Sequence, residues 1–329
     1  VSSFRDARSV HGICGIRCMI KVLLIDADII TYRAGFSAQK MHSVATSCFT
    51  GQEVTDESLG TTPTRTELTK YLIEKGENLS HYEFKDTLLI QPEGYARYAA
   101  KLMIEQIRSK EYWSNPHLKL FLTSADKSNY RYKVATLKPY KGNRVAPKPV
   151  HYDAIRQYLT DVWGAKIIRN EEADDRLGQL QTYYTKKHGD NVSCIVSIDK
   201  DLNSVPGYHY NFVKDQLYLV DEFGSLTLDK LPKTARKVLN GTGLKWFYAQ
   251  MLLGDNADNI PGLKQIGAVK VFNLLNECKT EQELRDVVFK EYLHYYKEDG
   301  VKAFNEVGNL LWIRQYNKKG FIEETDHVV

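Results

Sequence analysis

The chain has 329 residues, 43% of them hydrophobic and 26% charged, with a formal net charge of +4. This suits one large α/β domain or a domain with a smaller appendage. It excludes a membrane span, since no apolar run nears the roughly 20 residues one needs, and a soluble, non-membrane protein is expected. The charge is too mild to name a polyanionic partner, so its local distribution must decide. The five cysteines, Cys14, Cys18, Cys48, Cys194 and Cys278, are scattered and odd in number. They make no disulfide framework and point to a reducing cytosol. His11, Cys14 and Cys18 lack the second ligand pair that a zinc site would need.

Residues 1–18 show no helical or strand periodicity and lack the apolar core of a signal peptide. They are expected to be a disordered tail, or translation from upstream of the true start at Met19. Three apolar runs then share one design. Val22–Ile25 ends in Asp26, Leu118–Leu122 in a turn carrying Asp126, and Val192–Ile198 in Asp199. Continuous Val/Ile/Leu runs suggest strands buried on both faces of a parallel sheet. Helical segments at Gly94–Glu111 and Ala173–His188 lie between them, so the spacing predicts an α/β fold: a mostly parallel central sheet with helices on both faces. In such sheets sites gather at the carboxyl ends of the strands. Residues 40–92 are polar and Thr-rich, and predict only short elements or an insertion. From Lys230 onward the chain reads as helical, at Trp246–Leu253, Ala268–Asn276, Glu281–Lys297 and Val301–Asn317.

Acids at element ends are the main chemical signal: Asp26, Asp28, Asp126, Glu172, Asp174, Asp175, Asp199, Asp201, Asp255 and Asp258. Gathering them costs energy through repulsion, which makes sense mainly if divalent cations neutralise them. Oxygen ligands without His or Cys favour Mg²⁺ or Mn²⁺ over Zn²⁺. Two such ions about 4 Å apart suit phosphodiester hydrolysis. Each acid also has an ordinary reading. Glu171–Asp175 opens a helix, where acids meet the positive end of the dipole. Asp199 and Asp201 can close a strand and start a turn, and Asp255 and Asp258 sit in a Gly/Asn-rich loop.

Between Lys127 and Lys148 the cations Lys127, Arg131, Lys133, Lys138, Lys141, Arg144 and Lys148 run without an acid, interleaved with Tyr130, Tyr132 and Tyr140. Cations contact phosphates and aromatic faces stack on unpaired bases; the alternative is a solvated basic surface. Further on, NIPGLKQIGAVKVFNLL (259–275) reads as a hairpin before a helix, whose exposed amides with Lys264 and Lys270 could hold phosphate. A hairpin that only packs is the alternative.

The strings LLIDADIITYR (23–33), SADKSNYRYK (124–133), YKGNR (140–144), EEADD (171–175), SIDKD (197–201) and LGDNADNIPGLKQIGAVK (253–270) together resemble the 5′-nuclease superfamily of flap endonucleases, polymerase-associated 5′-nucleases and phage 5′→3′ exonucleases. They occur in the family's order over most of residues 19–276. The resemblance implies a PIN-like catalytic domain at 19–240, a short basic arch at about 127–152, and a helical region at 241–329 with a helix-hairpin-helix at about 247–276. It implies a first metal site of Asp26, Asp126, Glu172 and Asp174, a second of Asp199, Asp201, Asp255 and Asp258, and Asp175 near both. Two Mg²⁺ ions are implied, with Mn²⁺ able to substitute, and K⁺ at the helix-hairpin-helix. Lys141 and Arg144 resemble the basic pair that steers the scissile phosphate. Arg131, Tyr140, Lys148, Gly262, Lys264, Gly267 and Lys270 are the expected DNA contacts.

The arch stretch is short and carries Pro147 and Pro149, which resembles phage exonucleases more than the larger family members. The expected function is a two-metal 5′→3′ exodeoxyribonuclease, phage-encoded and serving DNA replication in the host cytoplasm. Its expected substrate is DNA with 5′ ends, flaps or gaps, or an RNA–DNA hybrid. The alternatives are a structure-specific flap endonuclease or RNase H-like activity of the same fold, and, in a different class, a DNA-binding protein without catalysis.

Overall fold

The structure is a computed structural model, and it describes residues 20–189, 192–231, 236–316 and 320–321. The expected tail at 1–18 lies outside the described residues. The chain opens with β1 (Val22–Asp26), α1 (Ala27–Ser37), β2 (Gln39–Ser47), α2 (Arg65–Glu74), β3 (Tyr82–Ile90) and α3 (Glu93–Arg108). It continues with β4 (His117–Thr123), the single turn α4 (Arg131–Val134), α5 (Tyr152–Trp163), β5 (Lys166–Ile168), α6 (Ala173–His188) and β6 (Ser193–Val196). Four more strands follow: β7 (Gly207–Asn211), β8 (Gln216–Val220), β9 (Leu226–Lys230) and β10 (Lys237–Gly241). The last helices are α7 (Gly243–Leu253), α8 (Ala268–Leu275), α9 (Glu281–Tyr296) and α10 (Gly300–Leu311). Among the described residues no helix is long and apolar enough to cross a membrane.

These elements divide into two compact units, one of residues 30–103 and 147–158 and the other of the remainder. The larger unit holds a six-stranded sheet in the order β5-β4-β1-β6-β7-β8. All its neighbours pair in parallel except the edge strand β8, which runs antiparallel to β7. The two central strands explain their own sequences: all five residues of VLLID and all four of SCIV are buried, as strands covered on both faces require. α6 lies along β1, β4, β5, β6 and β7. Its Ala173 and Leu177 join Leu24, Phe121, Ile168 and Ile195 in one apolar cluster. Because the chain leaves β1 toward β4 and later returns to its other side at β6, the strand order reverses beside β1. Its carboxyl end is therefore the topological switch point, where α/β sheets open a crevice.

A second core of the same unit is built around α7. Every residue of that helix except Leu253 is buried, as an all-round apolar helix must be. Phe247, Tyr248, Met251 and Leu252 pack with Val271, Leu284, Val288, Tyr292, Phe304 and Val307 from the three later helices. The smaller unit explains the region that the sequence left open. β2 and β3 pair antiparallel from Gln39↔Ile90 to Ser47↔Tyr82. α2 covers them through Leu68 and Leu72 against Ala45, and a capping box between Thr64 and Glu67 starts that helix.

His209 on β7 supplies a test of the larger unit's packing. It is buried, and its Nε2 donates to the Val205 carbonyl at 2.8 Å. Burial lowers its pKa to about 4 from the usual 6.5, so the folded protein holds it neutral where the unfolded chain takes up a proton. Its contribution to stability is therefore present above pH 6.5 and falls as the pH drops toward 4. We expect urea melts of the parent to lose about 2 kcal/mol relative to His209→Phe between pH 7 and pH 5. Parallel pH profiles would contradict a neutral buried imidazole.

Candidate functional site

The acids meet at the switch point. Asp26 closes β1, and its Oδ1 accepts the amides of Asp28 (3.1 Å) and Ile29 (3.3 Å) in the first turn of α1. Its Oδ2 accepts the Ser197 hydroxyl at 2.9 Å from just beyond β6. Burial first, then the charges of Asp28 and Asp199, push its carboxyl up to about 7. Asp199 is pushed up to about 6, again by burial first and then by Asp201. Asp174, in the first turn of α6, is raised well above the carboxylate range by burial, then by Asp26, Asp199 and Glu172. A plain helix-start acid would be stabilised in its charged form by the helix dipole; Asp174 is shifted the other way. None of these three has an ion-pair partner among the described residues. Their all-oxygen donor set and mutual repulsion fit a divalent cation. No three acids among the described residues are yet drawn to metal-ligand spacing, so side-chain rotation would have to complete a coordination shell.

The other acids differ, because each of them already has a partner. Glu172 accepts Lys141 Nζ at 2.5 Å and the Tyr140 hydroxyl at 3.0 Å. Asp258 accepts the same hydroxyl at 2.6 Å and Arg144 Nη2 at 2.5 Å. Asp201 accepts Lys200 Nζ at 2.8 Å and Gln250 Nε2 at 2.5 Å. Buried Asp255 accepts the Ala257 amide at 3.0 Å and lies 3.7 Å from Lys200 Nζ. Asp174, Asp199, Asp201, Asp255 and Asp258 line one cleft with Glu172, Lys141 and Arg144.

One expected metal ligand, Asp175, is corrected, and another, Asp126, stands apart from the other acids. Asp175 is fully buried and takes both its oxygens to the Arg131 guanidinium, at 2.5 and 2.9 Å. It also accepts the amide of Arg314 at 3.1 Å. It is one residue from Asp174, yet the helix turn points it into the core. Asp126 is exposed and outside the cleft, because β4 ends at Thr123 and the following turn carries Asp126 away. Its Oδ1 accepts the Ser128 amide at 2.9 Å, and the bonds from Ser128 hold its carboxyl below the usual range.

Two expected DNA contacts are corrected as well. Arg131 is 1% exposed and donates to the Leu310 and Trp312 carbonyls, both at 2.8 Å. It anchors the segment after α10, with its guanidinium nitrogens taken up by these carbonyls and Asp175. Tyr140 is 4% exposed, with its ring edge-on to Tyr132 and its hydroxyl shared by Glu172 and Asp258, so no face is open to a base. Lys148 is exposed in the smaller unit, over the Tyr152 ring at 4.2 Å.

Lys141 and Arg144 do reach the cleft, because residues 139–144 are fastened to the loop after α7. The Lys141 amide donates to the Asp258 carbonyl at 2.8 Å, Asn143 Nδ2 to the Asn256 carbonyl at 2.6 Å, and Asn259 Nδ2 to the Pro139 carbonyl at 2.8 Å. The loop then closes on itself, with Asp255 and Ile260 exchanging backbone bonds of 3.0 and 2.8 Å. Gly262 serves packing here: a Cβ would meet the Leu253 carbonyl oxygen at 2.1 Å. Gly267 precedes α8 and is exposed, as is Lys264, while Lys270 pairs with Glu291 at 3.4 Å. Sequence reasoning missed three groups that shape the cleft. Ser197 and Lys200 stand inside the string SIDKD, whereas Gln250 carries no signal in an apolar helix.

No protein-family profile matches the sequence. A protein named DNA polymerase I from Borreliella burgdorferi is 28% identical over 202 residues, 56% of this chain and 21% of that protein. A protein named 5′-3′ exonuclease from Buchnera aphidicola is 27% identical over 239 residues, 70% of this chain and 74% of the relative. A DNA polymerase I from Bacillus caldotenax is 25% identical over 62% of this chain and 23% of its own length. The chain thus spans less than a quarter of the two polymerases. The solved structure of the T5 D15 protein co-crystallised with metal ions is 18% identical over 65% of this chain and 88% of its own, at a TM-score of 0.39. That likeness is too low for residue-by-residue comparison. The sequence relatives, together with the ordered strings that carry the acids, make the chain similar to the 5′-nuclease superfamily.

Proposed function

We propose that the chain is a metal-dependent 5′→3′ exodeoxyribonuclease that hydrolyses phosphodiester bonds from DNA 5′ ends. The observation that carries this reading is the trio Asp26, Asp174 and Asp199: three crowded carboxylates with no ion pair among the described residues, of which Asp174 and Asp199 line a cleft together with Lys141 and Arg144. Magnesium, when bound there, supplies charge neutralisation and Lewis-acid activation of water and phosphate. Asp26, Asp174 and Asp199 would hold it, with Asp201, Asp255, Asp258 and Glu172 as the nearest further carboxylates. The likeness to a protein named 5′-3′ exonuclease supports the direction of attack.

The chain's own part in the chemistry is to aim cations at developing charge. Lys141 Nζ lies 2.5 Å from Glu172 and 3.6 Å from Asp258, while Arg144 holds Asp258. A phosphate entering the cleft offers both a second anion. A cation that meets charge built up in the transition state lowers the barrier more than it tightens binding. Backbone amides at the start of α8, with Lys264, would hold the duplex away from the chemistry.

The direct test is cleavage of duplex DNA labelled at its 5′ or its 3′ end, with Mg²⁺ and with chelator. We expect short 5′-labelled products in Mg²⁺ alone; persistence of the 5′ label on long strands would overturn the reading.

Asp174→Asn and Asp199→Asn separate binding from catalysis. Each removes a negative charge facing DNA, so both should bind DNA in chelator at least as well as the parent and lose most turnover in Mg²⁺. A capping role for Asp174 predicts instead a stability loss of about 0.5–2 kcal/mol with turnover nearly intact. Thermal melts beside Mg²⁺-dependent rates distinguish the two.

Lys141→Ala should cut the single-turnover rate at saturating protein by roughly 100-fold, the scale of one preorganised electrostatic donor. Lys148→Ala should lower only low-salt affinity. Equal, near-parental rates would remove Lys141 from the chemistry.

A further inference from the structure

Lys200 stands between two of the cleft's acids in sequence, and the cleft itself gives it a specific position. Its Nζ lies 2.8 Å from Asp201 Oδ1 and 3.7 Å from Asp255 Oδ1. Its backbone is fixed, since the indole Nε1 of Trp246 donates to its carbonyl at 2.9 Å. Its side chain is not, being 54% exposed. Gln250 donates to the same oxygen of Asp201 from the buried helix α7. The Asp201–Asp255 pair therefore shares one ammonium from this chain at ion-pair distance, whereas Asp26, Asp174 and Asp199 have no ion pair among the described residues and the charge of Lys200 reaches Asp199 only from farther off.

We propose that Lys200 is a built-in cation of the Asp201–Asp255 pair and competes with a divalent ion for those two carboxylates. The inference rests on the metal-dependent reading above. Asp255 is 6% exposed, and a carboxylate so buried is costly unless a cation faces it. Lys200 provides that charge when no metal is present. Being a point charge on a long, half-exposed stem, it can also withdraw. A divalent ion brings twice the charge and takes several carboxylate oxygens at once. One metal position, at Asp26, Asp174 and Asp199, then fills without breaking an ion pair. A second, at Asp201 and Asp255, fills only by moving an ammonium, and is the weaker of the two.

The test is a calorimetric titration of the full chain with Mn²⁺ alone, without DNA, for the parent and for Lys200→Met, Lys200→Gln and Lys200→Arg. Removing the ammonium should tighten the weaker Mn²⁺ step about fivefold, the upper end for an exposed ion pair, and change the tighter step less. Lys200→Arg keeps the charge and should follow the parent. Should the parent take up only one ion, a second step gained in Lys200→Met or Lys200→Gln supports the proposal equally. Lys200→Gln covers the case in which Lys200→Met does not fold. A parent that binds Mn²⁺, with variants whose weaker step is unchanged, weakened or still missing, overturns this role for Lys200 and leaves the metal-dependent reading standing. A parent that binds no Mn²⁺ overturns both.

Discussion

Repulsion among carboxylates at the switch point is the constraint around which the cleft is organised. A parallel sheet whose order reverses beside β1 brings the ends of β1 and β6 together, and the chain places Asp26 at one and Asp199 just past the other. Asp174 enters from the first turn of α6. Burial and mutual charge raise all three above the usual carboxylate range. The surrounding acids have close partners: Glu172 has Lys141 and Arg131, Asp258 has Arg144, and Asp201 has Lys200 and Gln250. The cleft is thus a set of paired acids around an unpaired trio.

Rigidity around that trio comes from a buried ion pair. Arg131 makes a two-pronged bond to Asp175 and donates to the Leu310 and Trp312 carbonyls, while Asp175 accepts the amides of Glu172 and Arg314. One guanidinium therefore ties the start of α6 to the segment after α10. A buried pair of this kind is costly to break, because the surviving charge is stranded. Its benefit to the site is positional: Asp174, next to Asp175, is held at the cleft by a helix whose first turn cannot move freely.

Much of this was legible in the sequence where periodicity is strong. VLLID and SCIV read as buried strands because no polar side interrupts them. α6 was read with its observed bounds, Ala173–His188, since acids open it and Lys186, Lys187 and His188 close it. The β2–β3 pair was not legible: QKMHSVATS buries only Ser43 and Ala45, so alternation is too faint to mark a strand. At the site, residue type was readable and direction was not. Asp174 and Asp175 are equivalent letters, separated by about 100° of helix turn, and only coordinates tell which faces the cleft and which faces Arg131. Asp126 stands apart because β4 stops three residues earlier, which an apolar run followed by an acid does not reveal. Arg131 and Tyr140 misled for a related reason, since a basic, aromatic run does not reveal which members turn inward.

The most direct test of the unpaired trio is thermal unfolding in chelator and in Mg²⁺ for the parent and Asp199→Asn. If the trio's repulsion is relieved by a divalent ion, Mg²⁺ raises the parent's Tm. Asp199→Asn then melts higher than the parent in chelator and loses most of the response to Mg²⁺. A parent Tm that ignores Mg²⁺, with Asp199→Asn no more stable in chelator, would contradict the account.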